Sequence, residues 1–453
     1  MPLTAVRPHI KPMLLLAYPV ILSQLGHVLV NVVDSVVVGQ TGKVALAAVS
    51  LSVSVSTVVM VLGLGLSMGI TPLVAAADGK RDMPLLGRLL VNGVLLSTLA
   101  GVGLAGLGLI IAPQLRYLNQ PAEVVALAMP WVRLIFLSFL PLMIFQGFKQ
   151  FAEGLGLTRQ AMYLSVGANL LNALLCYMFV FGNLGAPQMG MIGAAWATLI
   201  SRVLMAILMA TYVLRAARLR PHREAAASGL GLHGPTLRRL LGLGSPIGVQ
   251  MMFEMGAFSF SAIMIGWLGT TSLAAHQIAI NVASATYMAA SGIAAAATIR
   301  VGNMRGLGDA EGARQAGFTA YGLTFLFMSL MALILILARD FIPYFYNNDA
   351  AVVAQAATLL LIAALFQISD GLQVVGLGAL RGLEDVKIPS LVALLAYWAV
   401  ALPLGYFLGF KLNMGAIGIW IGLLTGLTLV AGLLLWRFRQ HSAVPVPAAM
   451  AVH

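Results

Sequence analysis

Twelve long apolar stretches, separated by short polar segments, constrain the fold of this chain more than any other feature of its sequence. Each is long enough for a helix of about 20 residues to cross the hydrocarbon core of a bilayer. The stretches are continuous rather than alternating, which excludes a transmembrane β-barrel. Only 9% of the residues are charged, against about 25% in a soluble domain. The sequence therefore predicts an all-α polytopic membrane protein with twelve transmembrane helices.

The ends of the predicted spans follow charged residues, prolines and glycines. The spans are residues 12–38, 45–77, 86–112, 125–150, 160–182, 190–216, 238–268, 272–304, 313–338, 351–380, 387–410 and 414–437. The first stretch is too long for a cleavable signal and lacks a small-residue cleavage site, so we interpret it as the first span. The single cysteine, Cys176, lies within an apolar stretch and allows no intrachain disulfide.

Basic residues are distributed unequally between the two sides of the predicted membrane. Twenty fall in the segments on the side of the termini and the 217–236 stretch, and four fall on the other side. Those four are Lys43, Arg116, Arg339 and Lys411. Cytoplasmic loops carry the excess of Lys and Arg, so the pattern predicts a multi-pass protein of the bacterial inner membrane with both termini in the cytoplasm. The net charge of +12 follows from this asymmetry and does not indicate a nucleic-acid partner.

The second half of the chain repeats the first. At an offset of 227 positions Pro19 aligns with Pro246 and Asp82 with Asp309, and later Gly154 aligns with Gly382. An even number of helices per repeat gives both halves the same orientation, which predicts two six-helix bundles related by a pseudo-twofold axis, with the solute path between them. The predicted organisation is an N-terminal lobe (1–216), a cytoplasmic linker (217–236), a C-terminal lobe (237–439) and a disordered tail (440–453).

Three acidic residues, Asp34, Glu254 and Asp370, fall inside predicted spans. A charge at mid-membrane costs roughly 2.5–3.5 kcal/mol, so such residues usually face a cavity and have a function. Arg202 is the only base that we expect deep enough to pair with them. Glu254 aligns with His27, and Asp34 lies seven residues further on. We therefore expect Asp34 and Glu254 on the same face of equivalent helices, where they would exchange protons or attract cations.

Polar residues in the eighth span form a second, weaker signal. Gln277, Asn281 and Tyr287 are candidates to line a solute cavity, whereas we interpret His276 as structural. Ser50 and Ser54, one turn apart, are also consistent with close helix packing. No metal-binding, phosphate-loop or nucleophile motif is present in the sequence.

Several segments together resemble the multidrug and toxic compound extrusion (MATE) family, specifically its NorM-like branch. They are Pro19 with Asp34, Glu254, Ala274 to Ala279, Ile368 to Val375, and Leu380-Arg381-Gly382. The resemblance covers nearly the whole chain. It implies a V-shaped fold of two bundles that alternates between outward-open and inward-open forms. It also implies efflux of small amphipathic cationic drugs or dyes in exchange for Na⁺ or H⁺.

The resemblance also implies roles for individual residues. Glu254 and Asp370 match the coupling pair of the second lobe, and Asp34, Asn172 and Thr198 match the cation site of the first lobe. Gln277, Tyr287 and Ser54 match positions that line the drug cavity, to which we add Asn281 and Asp34 as candidates. Two positions depart from the family pattern, because Cys176 and Phe366 stand where some relatives offer an oxygen ligand. Sodium needs several oxygen ligands held together, so we expect H⁺ rather than Na⁺ as the coupling ion.

Other functions remain open from the sequence. A lipid-linked saccharide flippase of the related superfamily should carry several basic residues in its cavity, and this chain offers little beyond Arg133 and Arg202. A membrane-embedded enzyme would need clustered His or Asp residues within spans, and the seven histidines are scattered or terminal. A channel is less consistent with duplicated lobes. We expect a transporter rather than an enzyme, without a cofactor or bound metal, embedded in the bilayer as a monomer.

Overall fold

The chain folds into helices joined by short turns. The computed structural model describes residues 3–117, 121–228 and 231–443, without the side chains of residues 3–7, 27–36, 43 and 228. No strand occurs within these ranges, and the predicted all-α polytopic fold is confirmed. Eleven helical segments of the described part are long and apolar enough to cross a membrane. The first helix, α1 (Leu3–Gly39), adds a further 37 residues.

The helices follow the predicted spans closely. In the first half they are α1, α2 (Lys43–Met68), α3 (Ile70–Lys80), α4 (Met83–Gln114), α5 (Ala122–Leu137), α6 (Phe139–Gly154), α7 (Thr158–Phe181), α8 (Met191–Arg215) and α9 (Arg220–Ser228). In the second half they are α10 (Gly234–Gly266), α11 (Thr270–Gly306), α12 (Ala310–Ala338), α13 (Ala350–Gly382), α14 (Lys387–Leu395), α15 (Leu402–Tyr406) and α16 (Gly415–His441).

Three predicted spans consist of more than one helix. The second span is α2 and α3, which meet at Gly69, and the fourth is α5 and α6, which meet at Ser138. In the eleventh span, π-helical segments at Ala396–Ala401 and Phe407–Lys411 flank α15. Proline removes a backbone donor and crowds the preceding turn, and Pro403 lies two residues after the end of the first π segment. The wider π turn relieves this crowding and changes the direction of the side chains that follow.

The chain divides into two compact units that differ from the predicted lobes. The N-terminal unit is Leu22–Gly248, and the C-terminal unit is Met1–Ile21 with Val249–His453. The predicted boundary lay in the 217–236 linker. In the structure the first part of α1 belongs to the C-terminal unit, and the first part of α10 belongs to the N-terminal unit. The two division points, after residues 21 and 248, are 227 positions apart (248 − 21), which is the offset of the sequence repeat.

Close helix packing explains this exchange. The first part of α1 packs against α11, where Gly292 lies against Ala17 and Ile21 with no room for a Cβ atom. The first part of α10 packs in the same way against α2, where Gly65 lies against Gly248. Glycine at such positions lets two backbones approach within van der Waals contact, the main source of helix association in a membrane.

Equivalent caps confirm the internal repeat at the residue level. Asp82 begins α4 and accepts a hydrogen bond from the N–H of Leu85 at 3.0 Å. Asp309 begins α12 and accepts one from the N–H of Gly312 at 2.7 Å. Aspartate is a preferred N-cap because its carboxylate satisfies a backbone donor that the first helical turn leaves free. The two aspartates that align in the sequence therefore have the same structural role.

The predicted linker contains one short helix. In the N-terminal unit α9 packs on α4, where Gly87 lies directly against the backbone of Ala225. The ring of His222 makes an edge contact with Phe151, with 6.2 Å between the centroids. In the tail, α16 extends to His441, and residues 444–453 lie outside the described part, so the predicted disorder of residues 440–453 stays a prediction.

Candidate functional site

Glu254 accepts hydrogen bonds at both oxygens of its carboxylate inside the C-terminal unit. Gln250, one turn earlier on α10, donates its amide to Oε2 at 3.0 Å. Gln373 on α13 donates to Oε1 at 2.9 Å. The hydroxyl of Tyr397 lies 3.1 Å from the same Oε1. Buried acids need such partners, because an unpaired charge in a low-dielectric interior is costly.

Arg381 fixes the orientation of Gln250. Its Nη2 donates to Gln250 Oε1 at 3.2 Å. Arginine has no acceptor atom, so the amide oxygen of Gln250 must face Arg381 and the amide nitrogen must face Glu254. The sequence placed Arg381 among the cytoplasmic basic residues and named Arg202 as the only deep base. The second expectation was wrong, because Arg381 is also buried, at 8% exposure near the end of α13, and is hydrogen-bonded to Gln250. The side of the membrane on which it lies stays a prediction.

Tyr397 belongs to the π-helical segment of the eleventh span. It is 1% exposed, and its hydroxyl lies 2.9 Å from Gln373 Oε1 as well as close to Glu254. A single hydroxyl proton can serve one of these acceptors at a time. Sequence reasoning missed Gln250, Gln373 and Tyr397. Polar residues within predicted spans were the available signal, but the contacts depend on how three helices pack.

Asp370 lies on α13, one turn before Gln373, and is 6% exposed. It is near enough to Glu254 for the two charges to interact, and Tyr287 on α11 is within electrostatic reach of both carboxylates. Three residues that the sequence proposed for coupling or substrate binding therefore lie together in the C-terminal unit. Within the described residues, no group of three or more His, Cys, Asp or Glu side chains could hold a metal ion.

Aromatic side chains enclose this site. Phe366 is 2% exposed and packs edge-on against Trp420, with 5.3 Å between the ring centroids. It also contacts Phe258, which packs against Tyr397. The indole of Trp420 donates to Nδ1 of His276 at 3.2 Å. His276 thus has the structural partner that we expected of it.

Gln277 and Asn281 form an exposed pair on α11. The amide of Gln277 donates to Asn281 Oδ1 at 3.1 Å. Directly before Glu254 on α10, Phe253 packs edge-on against Trp398, whose indole donates to the carbonyl of Phe253 at 3.0 Å. Trp398 also contacts Phe260, and these residues continue to the half-exposed Trp267. The C-terminal unit therefore presents amide groups and an aromatic surface.

The site proposed for the first lobe is only partly described. The side chain of Asp34 lies outside the described part. Asn172 and Thr198 lie together in the N-terminal unit, with the amide of Asn172 3.4 Å from the hydroxyl of Thr198. Cys176, one turn beyond Asn172 on α7, is fully buried. Ser54 is exposed on α2 and donates to the carbonyl of Ser50 at 2.9 Å, so it lies in a different unit from Gln277 and Tyr287.

Arg202 belongs to the N-terminal unit, whereas Glu254 and Asp370 belong to the C-terminal unit. Its Nη1 donates to the hydroxyl of Ser138 at 2.6 Å, and its guanidinium lies over the ring of Phe139, 5.6 Å from the centroid. Ser138 is the residue between α5 and α6. Arg202 therefore stabilises the break in the fourth span through a hydrogen bond and a cation–π contact.

Comparison with known proteins gives the family. The family model MatE matches residues 19–178 and 246–407, two stretches that begin 227 positions apart. The multidrug resistance protein NorM of Burkholderia vietnamiensis is 37% identical over 439 residues, covering 96% of this chain and 94% of that protein. The chain belongs to the MatE family. Membership makes it a membrane transporter and not an enzyme, as the sequence predicted.

Solved structures of other transporters share this fold. The eukaryotic MATE transporter AtDTX14 superposes with a TM-score of 0.85 at 22% identity, covering 97% of this chain and 98% of that chain. A transporter of the MOP superfamily from Pyrococcus furiosus gives a TM-score of 0.86 at 21% identity, covering 96% of each chain. At these identities the likeness concerns the fold.

Proposed function

We propose that this MatE protein is a secondary active multidrug efflux antiporter that exports small amphipathic cations in exchange for H⁺ rather than Na⁺. The observation that carries the proposal is the partly buried carboxylate of Glu254, which is hydrogen-bonded by three side chains and lies close to the buried acid Asp370. Intramembrane ionisable residues usually mark ion or proton pathways. The NorM relative is named for multidrug resistance, which supports the substrate class.

The aromatic surface of the C-terminal unit supports a cationic substrate. Trp267 is 60% exposed and Trp398 is 40% exposed, with Phe260 in contact with both. A cation over an aromatic face within about 6 Å gains about 0.5–2 kcal/mol, more when it is desolvated. Large planar rings also accept molecules of many shapes, which fits a multidrug substrate range.

The hydrogen bonds around Glu254 favour H⁺ over Na⁺. A sodium ion needs several oxygen ligands at once. Gln250 directs its N–H₂ group at the carboxylate because Arg381 occupies its oxygen, so Gln250 has no free oxygen for a cation on that side. Gln373 likewise donates its amide to Glu254. A proton needs none of these ligands.

Two apolar or soft side chains support the same choice. Phe366 offers no hydroxyl one turn before Asp370, and its ring packs against Trp420. In the N-terminal unit Cys176 offers a soft sulfur, which hard cations such as Na⁺ do not prefer. Phe366 and Cys176 therefore offer no oxygen at positions where a sodium ion would need a ligand.

A proton can enter and leave this network with little movement of heavy atoms. When Glu254 is ionised, the hydroxyl of Tyr397 can donate to it; when Glu254 is protonated, the same hydroxyl can donate to Gln373. Neutralising the carboxylate also removes the repulsion between Glu254 and Asp370. In the proposed cycle, proton uptake from outside weakens the attraction for the bound organic cation, which leaves as the proton binds.

We further propose the inner membrane of a bacterium as the location, with both termini cytoplasmic and the protein active as a monomer. The orientation is supported by the excess of basic residues on the linker side.

The test is dye efflux from proteoliposomes that contain the purified protein and ethidium. With equal pH on both sides and an inward Na⁺ gradient, we expect no efflux above that of empty vesicles. With a pH gradient in Na⁺-free buffer, we expect efflux that a protonophore abolishes. Efflux that follows the Na⁺ gradient and ignores the pH gradient would refute H⁺ coupling.

A further inference from the structure

A groove in the N-terminal unit is lined by none of the residues proposed above for coupling or substrate binding. It has a volume of about 470 Å³, within the range of about 300–1,000 Å³ of small-molecule sites. Its walls are Val91, Val94 and Leu95 of α4, Phe148 of α6, and Leu214 at the end of α8. The linker helix α9 closes one end with Ala226 and Arg223. The interior is therefore apolar, with a single charged side chain among its lining residues.

The apolar wall continues into the outer surface of α4. Val91 and Leu95 lie one turn apart on this helix, and the exposed residues Leu99 (56% exposed) and Val102 (53% exposed) extend the same stripe. Residues three, four and seven apart share one face of a helix. At a rise of about 1.5 Å per residue, the stripe from Val91 to Val102 is about 16 Å long. The groove thus opens toward the surface that faces the acyl chains of the bilayer.

Basic residues lie around the end of the groove that is next to the linker helix α9. Arg88 is exposed three residues before Val91, on the same stripe. Residues 214–228 carry four arginines and one acid, a net charge of +3 (4 − 1); the arginines are Arg215, Arg218, Arg220 and Arg223. Arg223 donates one N–H to the carbonyl of Leu214 at 2.5 Å, which directs its guanidinium to the groove. A guanidinium has five N–H donors in a planar fork that matches a phosphate.

The second repeat has larger side chains at positions equivalent to two residues of the groove. At the repeat offsets of 227 and 225, Val91, Val94 and Val213 align with Phe318, Tyr321 and Phe438. In the C-terminal unit these three rings pack against one another, with centroids 5.6–6.4 Å apart. Tyr321 and Phe438 are also buried. In the C-terminal unit aromatic rings therefore lie at the positions equivalent to Val91 and Val94, which line the groove in the N-terminal unit.

We propose that the groove is a binding site for one anionic phospholipid, with an acyl chain along Val91 and Leu95 and the phosphate between Arg88 and Arg223. The apolar groove and the arginines occur at the same end of the same helix, which is the arrangement that a diacyl anionic lipid needs. Basic pockets between transmembrane helices on the cytoplasmic side bind such headgroups. The lipid would lie in the leaflet on the side of the linker and would hold α9 against α4.

The experiment is native mass spectrometry of the full-length protein in a non-ionic detergent, titrated with phosphatidylglycerol or with phosphatidylcholine of the same chains. We expect one phosphatidylglycerol per chain, bound more tightly than phosphatidylcholine. Arg88→Gln and Arg223→Gln should each weaken phosphatidylglycerol about fivefold, the effect of about 1 kcal/mol per basic residue. Val91→Phe, which copies the second repeat, should abolish the tightly bound lipid of either headgroup. Arg116→Gln, an exposed arginine at the opposite end of α4, is the matched control and should change nothing.

Other outcomes would contradict the proposal. Equal affinity for the two lipids in the unmodified protein would exclude recognition of the phosphate. Displacement of phosphatidylglycerol by soluble glycerol phosphate at equal concentration would indicate a free-anion site that needs no acyl chain. If the unmodified protein were a dimer and Val91→Phe a monomer, with lipid binding unchanged, the groove would be assigned to contact with a second copy of the chain. The thermal unfolding temperature of every variant is measured as well, so that a loss of lipid binding caused by misfolding is recognised.

Discussion

At the residue scale, Glu254 and Asp370 are the carboxylates that the proposed mechanism requires. We expect Glu254→Gln and Asp370→Asn each to abolish dye efflux, because the amide can neither take up nor release the coupling proton at that position, while expression and thermal stability change little. The amides preserve shape, and a lost charge–charge repulsion offsets part of any lost hydrogen bond. Asp340→Asn, which changes an exposed acid in the 339–350 loop (77% exposed), is the matched control. Wild-type resistance to ethidium in cells that carry both substitutions would contradict the assignment.

Tyr397 gives a second test at this scale. Tyr397→Phe removes the hydroxyl that lies 3.1 Å from Glu254 and keeps the ring that packs on Phe258. Without that donor the ionised carboxylate is less stabilised, so we expect the pH at half-maximal efflux to rise and the maximal rate to fall several-fold. Tyr406→Phe, at an exposed tyrosine of the same span, should leave the profile unchanged. If the rate of efflux depended on pH in the same way in both variants, Tyr397 would have no role in the proposed proton transfer.

At the scale of elements, the docking of α9 should depend on pH. His222 is half-buried, and neither ring nitrogen has a hydrogen-bond partner among the described residues. Burial and nearby Arg218 lower the pKa of His222 below its usual 6.5, and Asp78 opposes them. The undocked linker therefore binds more protons than the docked one, so docking is strongest above pH 6.5 and weakens as the pH falls through it.

The measurement is trypsin cleavage at the linker arginines of the purified protein at pH 7.5 and 5.5. We expect cleavage after Arg218 and Arg223 to increase at the lower pH relative to a trypsin-sensitive reference peptide in the same tube. His222→Phe keeps the contact with Phe151 but has no titratable ring, and should abolish the change. An equal pH response in this variant would show that another group titrates.

The glycine contacts test the exchange of helix ends between the two halves. A Cβ at Gly65 would collide with the backbone of Gly248, whereas Gly103 has open space around it. We expect Gly65→Val to lower the free energy of unfolding by about 1–3 kcal/mol, the usual cost of overpacking, and Gly103→Val to have a smaller effect. Thermal unfolding in detergent compares the two. Equal melting temperatures of the two variants would show that the close contact between α2 and α10 does not contribute to stability.

At the scale of the whole molecule, the orientation in the membrane is a prediction that cysteine labelling tests directly. The native Cys176 is fully buried, so background reaction should be small. An impermeant maleimide added outside intact cells should label Asn348→Cys, in the loop before α13, and should not label Arg220→Cys until the cells are opened. Strong labelling at position 220 from outside would contradict the predicted cytoplasmic location of the linker.

The sequence determined the membrane class, the helical fold, the family and the repeat, because each depends on local features. The length of an apolar run decides whether it spans a bilayer, and the N-cap aspartates Asp82 and Asp309 act within one turn. Of the candidate site, sequence reasoning identified Glu254, Asp370 and Tyr287, since an acid or a polar side chain in an apolar run is conspicuous.

Tertiary structure alone decided which side chains meet those acids. The contact of Arg381 with Gln250 joins residues 131 positions apart, and that of Tyr397 with Glu254 joins residues 143 positions apart. The sequence placed Arg381 at the end of a predicted span, and only the packing of α13 shows that its side chain is buried. The exchange of helix ends after residues 21 and 248 and the open groove beneath α9 also depend on which helices touch. Packing between distant segments follows from the complementarity of whole surfaces, which no local pattern records.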